Sequence, residues 1–289
     1  MTTFAAVEFP RRSSLARRTA RHARRPQIAF GIVVGSLWLL VLLTVQWWAP
    51  YDPLASSGKR LLSPGAHHWL GTDALGRDVF TRVLYGARQT LPISVAVIVV
   101  AVTIGTTVGA LAGYVGGWVD AVVMRTADVV MAFPPIFLAM AVAAALGPGL
   151  NHAFYAIVLV WWPIYARLVR AQVLSIKNRE HIEAAVTIGA SRRRVLRKHV
   201  LPLALTPVLV NATMDFGQVV ILTASLSFLG LGAVPPSPEW GAMITEGAKD
   251  FYQWWIAVAP GLAMLTVVLG FNFLGDGLRD LLDTRAATR

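Results

Sequence analysis

Six long apolar segments constrain the fold of this chain more than any other feature of its sequence. Each has roughly the 20 residues that an α-helix needs to cross a bilayer. They lie near residues 28–49, 91–113, 121–146, 154–174, 205–229 and 254–275. Only 14% of the residues are charged and 56% are hydrophobic, whereas a soluble domain carries about 25% charged residues. The sequence therefore predicts an all-α membrane protein with six transmembrane helices.

The basic residues predict how these helices are oriented. Seven arginines precede the first segment, nine basic residues lie between Arg167 and Lys198, and three follow the last segment. An N-terminus in the cytoplasm places these nineteen, of 26 in the chain, on the cytoplasmic side. This arrangement satisfies the rule that Lys and Arg concentrate in cytoplasmic loops. We expect both termini, and the loop between the fourth and fifth segments, to be cytoplasmic.

The same pattern divides the chain into four regions. They are a basic cytoplasmic arm at 1–26, the first helix with an extracytoplasmic segment at 27–90, a five-helix core at 91–283 that includes a cytoplasmic loop at 176–203, and a cytoplasmic tail at 284–289. The arm and first apolar run resemble a signal peptide, and Arg11-Arg12 fit twin-arginine export. However, the run is too long for a signal peptide and lacks a small-residue cleavage site. We expect an uncleaved anchor whose arm lies on anionic lipid, with nucleic-acid binding as the weaker alternative.

Several chemistries are not indicated by the sequence. The chain has no cysteine, and its six histidines form no pair at helical i, i+4 spacing. We therefore expect no disulfide, no metal site and no cysteine nucleophile. No G-x-x-x-x-G-K-[ST] motif occurs, so we expect no cradle for ATP phosphates in this chain. An intramembrane hydrolase would need a nucleophile and base within the segments, and a secondary transporter usually has internal repeats; neither pattern is evident.

The loop between the fourth and fifth segments carries a spaced pattern of small, acidic and turn-forming residues. It reads E-A-A at Glu183, Ala184 and Ala185, then Gly189 after three residues, and finally Leu201-Pro202. Alanines form helix readily and let a partner surface approach closely. Gly189 is suited to ending one short helix, and Pro202 to the first turn of the next. The pattern predicts a helix-turn-helix that protrudes from the membrane, although an ordinary amphipathic pair of helices is the simpler alternative.

This pattern resembles the coupling loop of bacterial ABC importer permeases. Three further blocks, near residues 68–88, 226–243 and 260–280, resemble the second, shorter permease subunit of the dipeptide/oligopeptide/nickel importer family. The resemblance implies a type I importer permease fold in the bacterial cytoplasmic membrane, a homologous permease as heterodimer partner, two ATPase subunits or one fused ATPase, and an extracytoplasmic substrate-binding protein. It assigns ATPase coupling to Glu183, Ala184, Ala185, Gly189, Arg193, His199, Leu201 and Pro202. Many importers have an aliphatic residue in place of His199, but a histidine is familiar in the peptide branch.

The resemblance also implies a division of labour. This chain would form half of the pore and transmit ATPase motion without being an enzyme, with ATP and Mg²⁺ bound by the partner ATPase and no cofactor in this chain. Di- and oligopeptides are the expected cargo, and nickel is the alternative within the family. The external binding protein would carry most of the selectivity.

Ionisable residues within the segments indicate the translocation path. Asp128 and Asp215 would each cost roughly 2.5–3.5 kcal/mol if they faced lipid. Arg125 lies three residues before Asp128, so a local ion pair is the simpler explanation for that aspartate, whereas Asp215 has no such neighbour and is the better pore candidate. Trp240 and Met243 follow the fifth segment and are candidates for substrate contact. An interfacial aromatic anchor is the alternative for the tryptophan.

Local signals predict three further details. Pro134-Pro135 predict a kink in the third segment. Gly105, Gly109 and Gly113 predict close helix packing along the second. Thr72 or Asp73 is expected to cap a short helix that begins within the external segment, and a re-entrant or interfacial helix with internal Asp–Arg pairs is the simpler interpretation of its charges.

Overall fold

The computed structural model describes residues 26–282, apart from the side chains of Pro26 and Leu281. The expectations for the basic arm, except its last residue, and for the tail therefore fall outside the described residues. Within them the regular structure is helical, with one isolated bridge between Thr72 and Asp78. The helices are α1 Pro26–Trp48, α2 Val79–Val115, α3 Gly117–Met131, α4 Pro135–Leu146, α5 Leu150–Lys177, α6 Glu180–Thr187, α7 Arg192–Val195, α8 Leu201–Phe228, α9 Trp240–Gly247 and α10 Trp255–Leu282, with a π-helical turn at Leu196–Val200.

Five helical stretches of this fold are long and apolar enough to cross a membrane. They are Gln27–Trp48, Val79–Val115, Leu150–Lys177, Arg192–Phe228 and Trp255–Asp280. Helices α3 and α4 give a sixth span if counted together, and they are bent by 90° at their junction. Proline disfavours helical geometry in the residue before it, so Pro134 adopts ψ 132° and α4 restarts at Pro135. The predicted all-helical architecture is confirmed, and the break at the proline pair is sharper than a kink.

The glycine stripe on α2 brings its backbone against α5. A Cβ added to Gly109 would lie 2.2 Å from the Ala166 carbonyl oxygen, and one added to Gly105 would lie 2.5 Å from the Tyr165 Cβ. Neither position has room for a methyl group. The predicted close packing along this stripe is confirmed.

Helix α1 packs one side against α10 and leaves the other exposed. The indole of Trp38 donates a 3.0 Å hydrogen bond to the Thr266 hydroxyl at this contact. The large exposed side chains between the two ends of α1 are apolar, including Val33, Leu37 and Leu40, which are 56–65% exposed. An exposed face of this composition fits contact with lipid tails.

Helix α2 begins within the segment predicted to be extracytoplasmic. Asp78 is its N-cap and accepts a 2.8 Å hydrogen bond from the Thr81 amide. The expectation that Thr72 or Asp73 caps a short helix is wrong. Asp73 instead accepts hydrogen bonds from the backbone amides of Leu75 and Arg77, which fixes the turn before the helix.

Candidate coupling loop and translocation path

Helix α6 carries the E-A-A residues on two different faces. Ile182 and Ala185 are buried against the body of the protein, whereas Glu183 and Ala184 are exposed. Only the first of the two alanines is therefore placed where a partner surface can approach it. Ile188, just beyond the helix, is 86% exposed. Helix α6 thus packs against the bundle through Ile182 and Ala185, and its opposite face is exposed.

Gly189 ends this helix in the left-handed conformation. Its φ is +88°, and in the described structure nothing lies within 4 Å of the position that a Cβ would occupy. Its amide donates a 2.9 Å hydrogen bond to the Val186 carbonyl, and the Ala190 amide donates to Ala185 at 3.1 Å. Because left-handed backbone strains other residues, glycine fits this turn, as the spacing predicted.

Pro202 lies in the first turn of α8, as the spacing predicted, but α8 does not start a separate helix. The helix runs continuously from Arg192 to Phe228, with a π-helical turn immediately before the proline. Leu201 donates to the Leu196 carbonyl, five residues back. Proline has no amide hydrogen and clashes with the carbonyl four residues earlier in an α-helix. The wider π-turn accommodates Pro202 without breaking the helix.

A dense group of cations surrounds this turn. Arg192, Arg193, Arg194, Arg197 and Lys198 are exposed and form no ion pair within the described residues. Four of them line an open recess of about 370 Å³. A larger recess of about 690 Å³ separates α6 from the end of α2. Its lining includes Tyr114 of α2 and Lys177 at the end of α5. His199 and Leu201 are half-buried, and Pro202 is exposed. The loop end of the bundle therefore offers a strongly basic surface.

Asp128 is paired with a different arginine from the one that the sequence suggested. Its Oδ1 accepts a 2.5 Å hydrogen bond from Arg167 on α5, whereas Arg125 is exposed one turn away. The expected local pair is wrong because tertiary packing places α5 alongside α3. Both members of the observed pair are about half-exposed, at 52% for the aspartate and 50% for the arginine.

Asp215 has a partner that spacing along its own helix does not show. The hydroxyl of the fully buried Tyr165 donates to Asp215 Oδ2 at 2.8 Å. The carboxylate is half-buried between α8 and α5. Asp215 is therefore held in one orientation from within the bundle.

Trp240 and Met243 lie in the protein interior, at 0% and 1% exposure. The tryptophan Nε1 donates to the Val83 carbonyl at 2.8 Å, and its ring meets Trp38 edge-on. The expectation of substrate contact by these two side chains does not fit their burial, and neither does an interfacial anchor. The preceding Glu239 caps α9 through the Ala242 amide, and burial raises the pKa of the Glu239 carboxyl.

The end of the bundle at which α2 begins holds a buried charge network. Arg77 Nε lies 2.6 Å from Asp73 Oδ2, and both Arg77 and Arg82 contact Glu246 Oε2, at 2.9 and 3.0 Å. Beside it, His68 Nδ1 lies 2.8 Å from Asp78 Oδ1. Two arginines thus share two carboxylates. Asp–Arg pairing within this segment is confirmed for Asp73 and Arg77, but no local signal identifies Glu246 as the partner of both arginines.

The helical fold of residues 26–282, with five or six helices long and apolar enough to cross a membrane, is that of an ABC importer permease. Two inward-facing structures of the MetNI methionine ABC transporter match it at 25% identity, with TM-scores of 0.54 and 0.55. They cover 72% and 73% of this chain and 97% and 98% of the matched chains. Residues 105–288 match the family described as the binding-protein-dependent transport system inner membrane component. The chain belongs to this family.

Curated relatives match over nearly the whole chain. The probable D,D-dipeptide transport system permease protein DdpC of Escherichia coli (strain K12) is 43% identical, over 90% of this chain and 88% of its own length. The dipeptide transport system permease protein DppC of Alkalihalophilus pseudofirmus is 42% identical, over 88% and 84%. The glutathione transport system permease protein GsiD of Shigella flexneri serotype 5b is 45% identical, over 92% and 89%. The predicted resemblance to ABC permeases of the peptide branch is confirmed.

Proposed function

We propose that this chain is one permease subunit of an ATP-driven importer of di- and oligopeptides in the bacterial cytoplasmic membrane. It forms half of the pore with a homologous permease. One or two ATPase chains bind the cytoplasmic end together with ATP and Mg²⁺, and an external binding protein delivers substrate. The chain itself has no catalytic role. The observation that carries the substrate class is the 42–45% identity to permeases named for dipeptides and glutathione, over nearly the whole chain.

Coupling to the ATPase is assigned to α6 and the basic turn that follows it. The exposed Glu183 and Ala184 form the contact face, and Gly189 fixes the angle between α6 and the helix that contains α8. Because Ile182 and Ala185 anchor α6 to the bundle, a push on this face moves the attached spans as a rigid body. Arg193 and the neighbouring cations pair with acidic groups on the ATPase. His199, Leu201 and Pro202 lie at the junction of the π-helical turn and α8 and hold the loop in position.

The translocation path is assigned to the charged residues that the bundle holds at membrane depth. Asp128 and Arg167 are half-exposed together, and an ion pair in that position is costly against lipid. Asp215 is oriented by Tyr165 at the edge of the exposed face of α8. Both sites therefore fit a position on the pore or against the partner permease.

Uptake in cells tests the substrate class. Cells lacking their own importers would express this chain with its neighbouring genes, and ATP-dependent uptake of a labelled tripeptide and of Ni²⁺ would be measured. We expect uptake of the tripeptide that stops when the ATPase is inactivated. Nickel uptake alone would replace peptides with the other cargo of the family. Uptake of neither by a fully assembled complex would contradict the peptide assignment.

A further inference from the structure

One face of α8 is half-buried in its first half and mostly exposed in its second, and its composition differs from that of a lipid-facing surface. It follows helical i, i+3, i+4 spacing through Pro207, Asn211, Met214, Gln218, Ile221, Ser225 and Phe228. Gln218, Ile221 and Phe228 are exposed, and the other four are half-buried. Polar side chains recur at every seventh residue of this face, namely at 211, 218 and 225.

The exposed face of α1 provides the contrast. Its large side chains between the two helix ends are apolar, as expected for contact with hydrocarbon. On α8, two carboxamides stand seven residues apart, or about 10 Å along the axis, near the middle of a helix long enough to span the membrane. An amide that faces lipid has no partner to replace water. The α8 face therefore does not fit a lipid boundary.

The two carboxamides also lack partners within residues 26–282. No hydrogen bond joins the side chain of Asn211 or Gln218 to any described residue. Ser225 differs, because its hydroxyl donates to the Ile221 carbonyl at 2.8 Å. Each carboxamide thus keeps a donor and an acceptor available to another molecule.

Two recesses continue this face toward the ends of the helix. One, of about 370 Å³, includes Pro207, Asn211 and Met214 and lies near Arg279. The other, of about 350 Å³, includes Ile221, Ser225 and Phe228 and is mainly apolar. Gln218 lies between them on the same face, so the groups follow one line through the bundle.

We propose that this face of α8 is the wall of the translocation path and that Asn211 and Gln218 contact the backbone of the passing peptide. This inference rests on the proposed function. A carboxamide presents the same donor and acceptor groups as a peptide bond, so the two complement each other whatever the peptide sequence. The seven residues of this face carry no formal charge, and Met214, Ile221 and Phe228 supply adaptable apolar contacts. These side chains therefore bind peptide backbone without themselves selecting for side-chain charge, whereas Arg279 and Asp215 are nearby charged groups.

Cysteine accessibility tests the position of the face independently of the cargo. The chain has no native cysteine, so Asn211→Cys, Gln218→Cys and Leu40→Cys each introduce a single thiol. The assembled complex in lipid nanodiscs would be treated with a charged methanethiosulfonate, which reacts with the thiolate in water. Ile188→Cys, on the exposed loop, controls for the activity of the reagent.

We expect both α8 cysteines to react at least about tenfold faster than Leu40→Cys, because thiolates form in water rather than in lipid. Equally slow reaction at all three membrane positions would overturn the proposal. That result would place the face against lipid or packed against the partner permease, and co-purification of the partner with Gln218→Leu would separate these two cases.

Transport by leucine variants tests the peptide contact. Asn211→Leu and Gln218→Leu should each lower the peptide transported per ATP hydrolysed by about 3- to 10-fold, the value of one lost hydrogen bond. The matched control is Gln46→Leu on α1, whose carboxamide accepts from Arg88 instead. Unchanged transport in the α8 variants, with active wild type, would overturn the contact. If wild type imports no peptide while the α8 cysteines react, the proposed cargo fails and the position of the face stands.

Discussion

The guanidinium of Arg82 donates to Glu246 Oε2 across 3.0 Å, although the two residues are 164 positions apart. Arg82 is fully buried, and its Nε also lies 3.5 Å from Asp73 Oδ2. This contact ties the first turn of α2 to α9. The segment before α2, α2 itself and α9 are thereby held together as one unit.

Removing this arginine should destabilise the protein strongly. Arg82→Met leaves two carboxylates with one arginine, Arg77, and breaking a buried pair in this way costs about 3–5 kcal/mol. Denaturant unfolding of the purified complex measures the loss. Adding Glu246→Leu to Arg82→Met should recover part of it, because one uncompensated charge is then gone.

Arg60→Met serves as the control, since Arg60 is exposed and the same exchange on a surface changes stability by about 0.5 kcal/mol at most. Equal stability of the Arg82 and Arg60 variants would show that the network does not hold the segment before α2, α2 and α9 together.

The glycine stripe predicts two opposite effects of the same substitution. Gly109→Ala forces a methyl group to within 2.2 Å of the Ala166 carbonyl oxygen, and such overpacking typically costs about 1–3 kcal/mol. Gly261 in α10 has open space around the same position in the described structure, so Gly261→Ala should stabilise by up to about 1 kcal/mol through helix propensity. Unfolding midpoints of the two variants, measured side by side, check the difference. Similar midpoints would mean that α2 and α5 separate easily.

Sequence periodicity was sufficient for the helical spans and for close packing along the glycine stripe of α2, because apolar length and small-residue spacing are local properties, but it did not identify α5 as the packing partner. It identified the break at Pro134-Pro135 but not the 90° bend, which depends on how α3 and α4 pack. Asp128 shows the same limit. Its nearest cation along the chain is Arg125, but its partner is Arg167, which tertiary structure alone brings near.

Gly189 and Pro202 were both predicted at the positions they occupy, but the π-helical turn between them was not. A glycine at a helix end is a local signal for a residue with positive φ, so the Gly189 turn could be predicted. The π-helical turn before Pro202 has no such signal, because it arises only when the helix continues through the proline. The paired alanines look equivalent in sequence, but helical geometry buries Ala185 and exposes Ala184. The polar residues on α8 went unrecognised because each is unremarkable alone; their seven-residue spacing was the available signal.

Asp215 allows a test that separates structure from transport. Tyr165→Phe and Asp215→Leu both remove the 2.8 Å hydrogen bond, and each should cost about 1.5–3 kcal/mol because one partner is charged. If the carboxylate also lies on the path, Asp215→Leu lowers peptide transport per assembled complex further than Tyr165→Phe does. Normal transport by an Asp215→Leu variant expressed at normal levels would remove Asp215 from the path.

The most direct test of the account compares two prolines placed at matched glycines. Gly189 and Gly147 have φ of +88° and +90°, both positions are open in the described structure, and each amide donates one 2.9 Å hydrogen bond to a helix end. Proline fixes φ near −65° and removes the donor, so each variant loses a positive φ and one backbone hydrogen bond, but only Gly189 lies in the proposed coupling loop. ATP-driven tripeptide import by the reconstituted complex would be measured for both variants. The account predicts that Gly189→Pro abolishes import in an assembled complex whereas Gly147→Pro retains it; equal import by the two would contradict a coupling role for the loop.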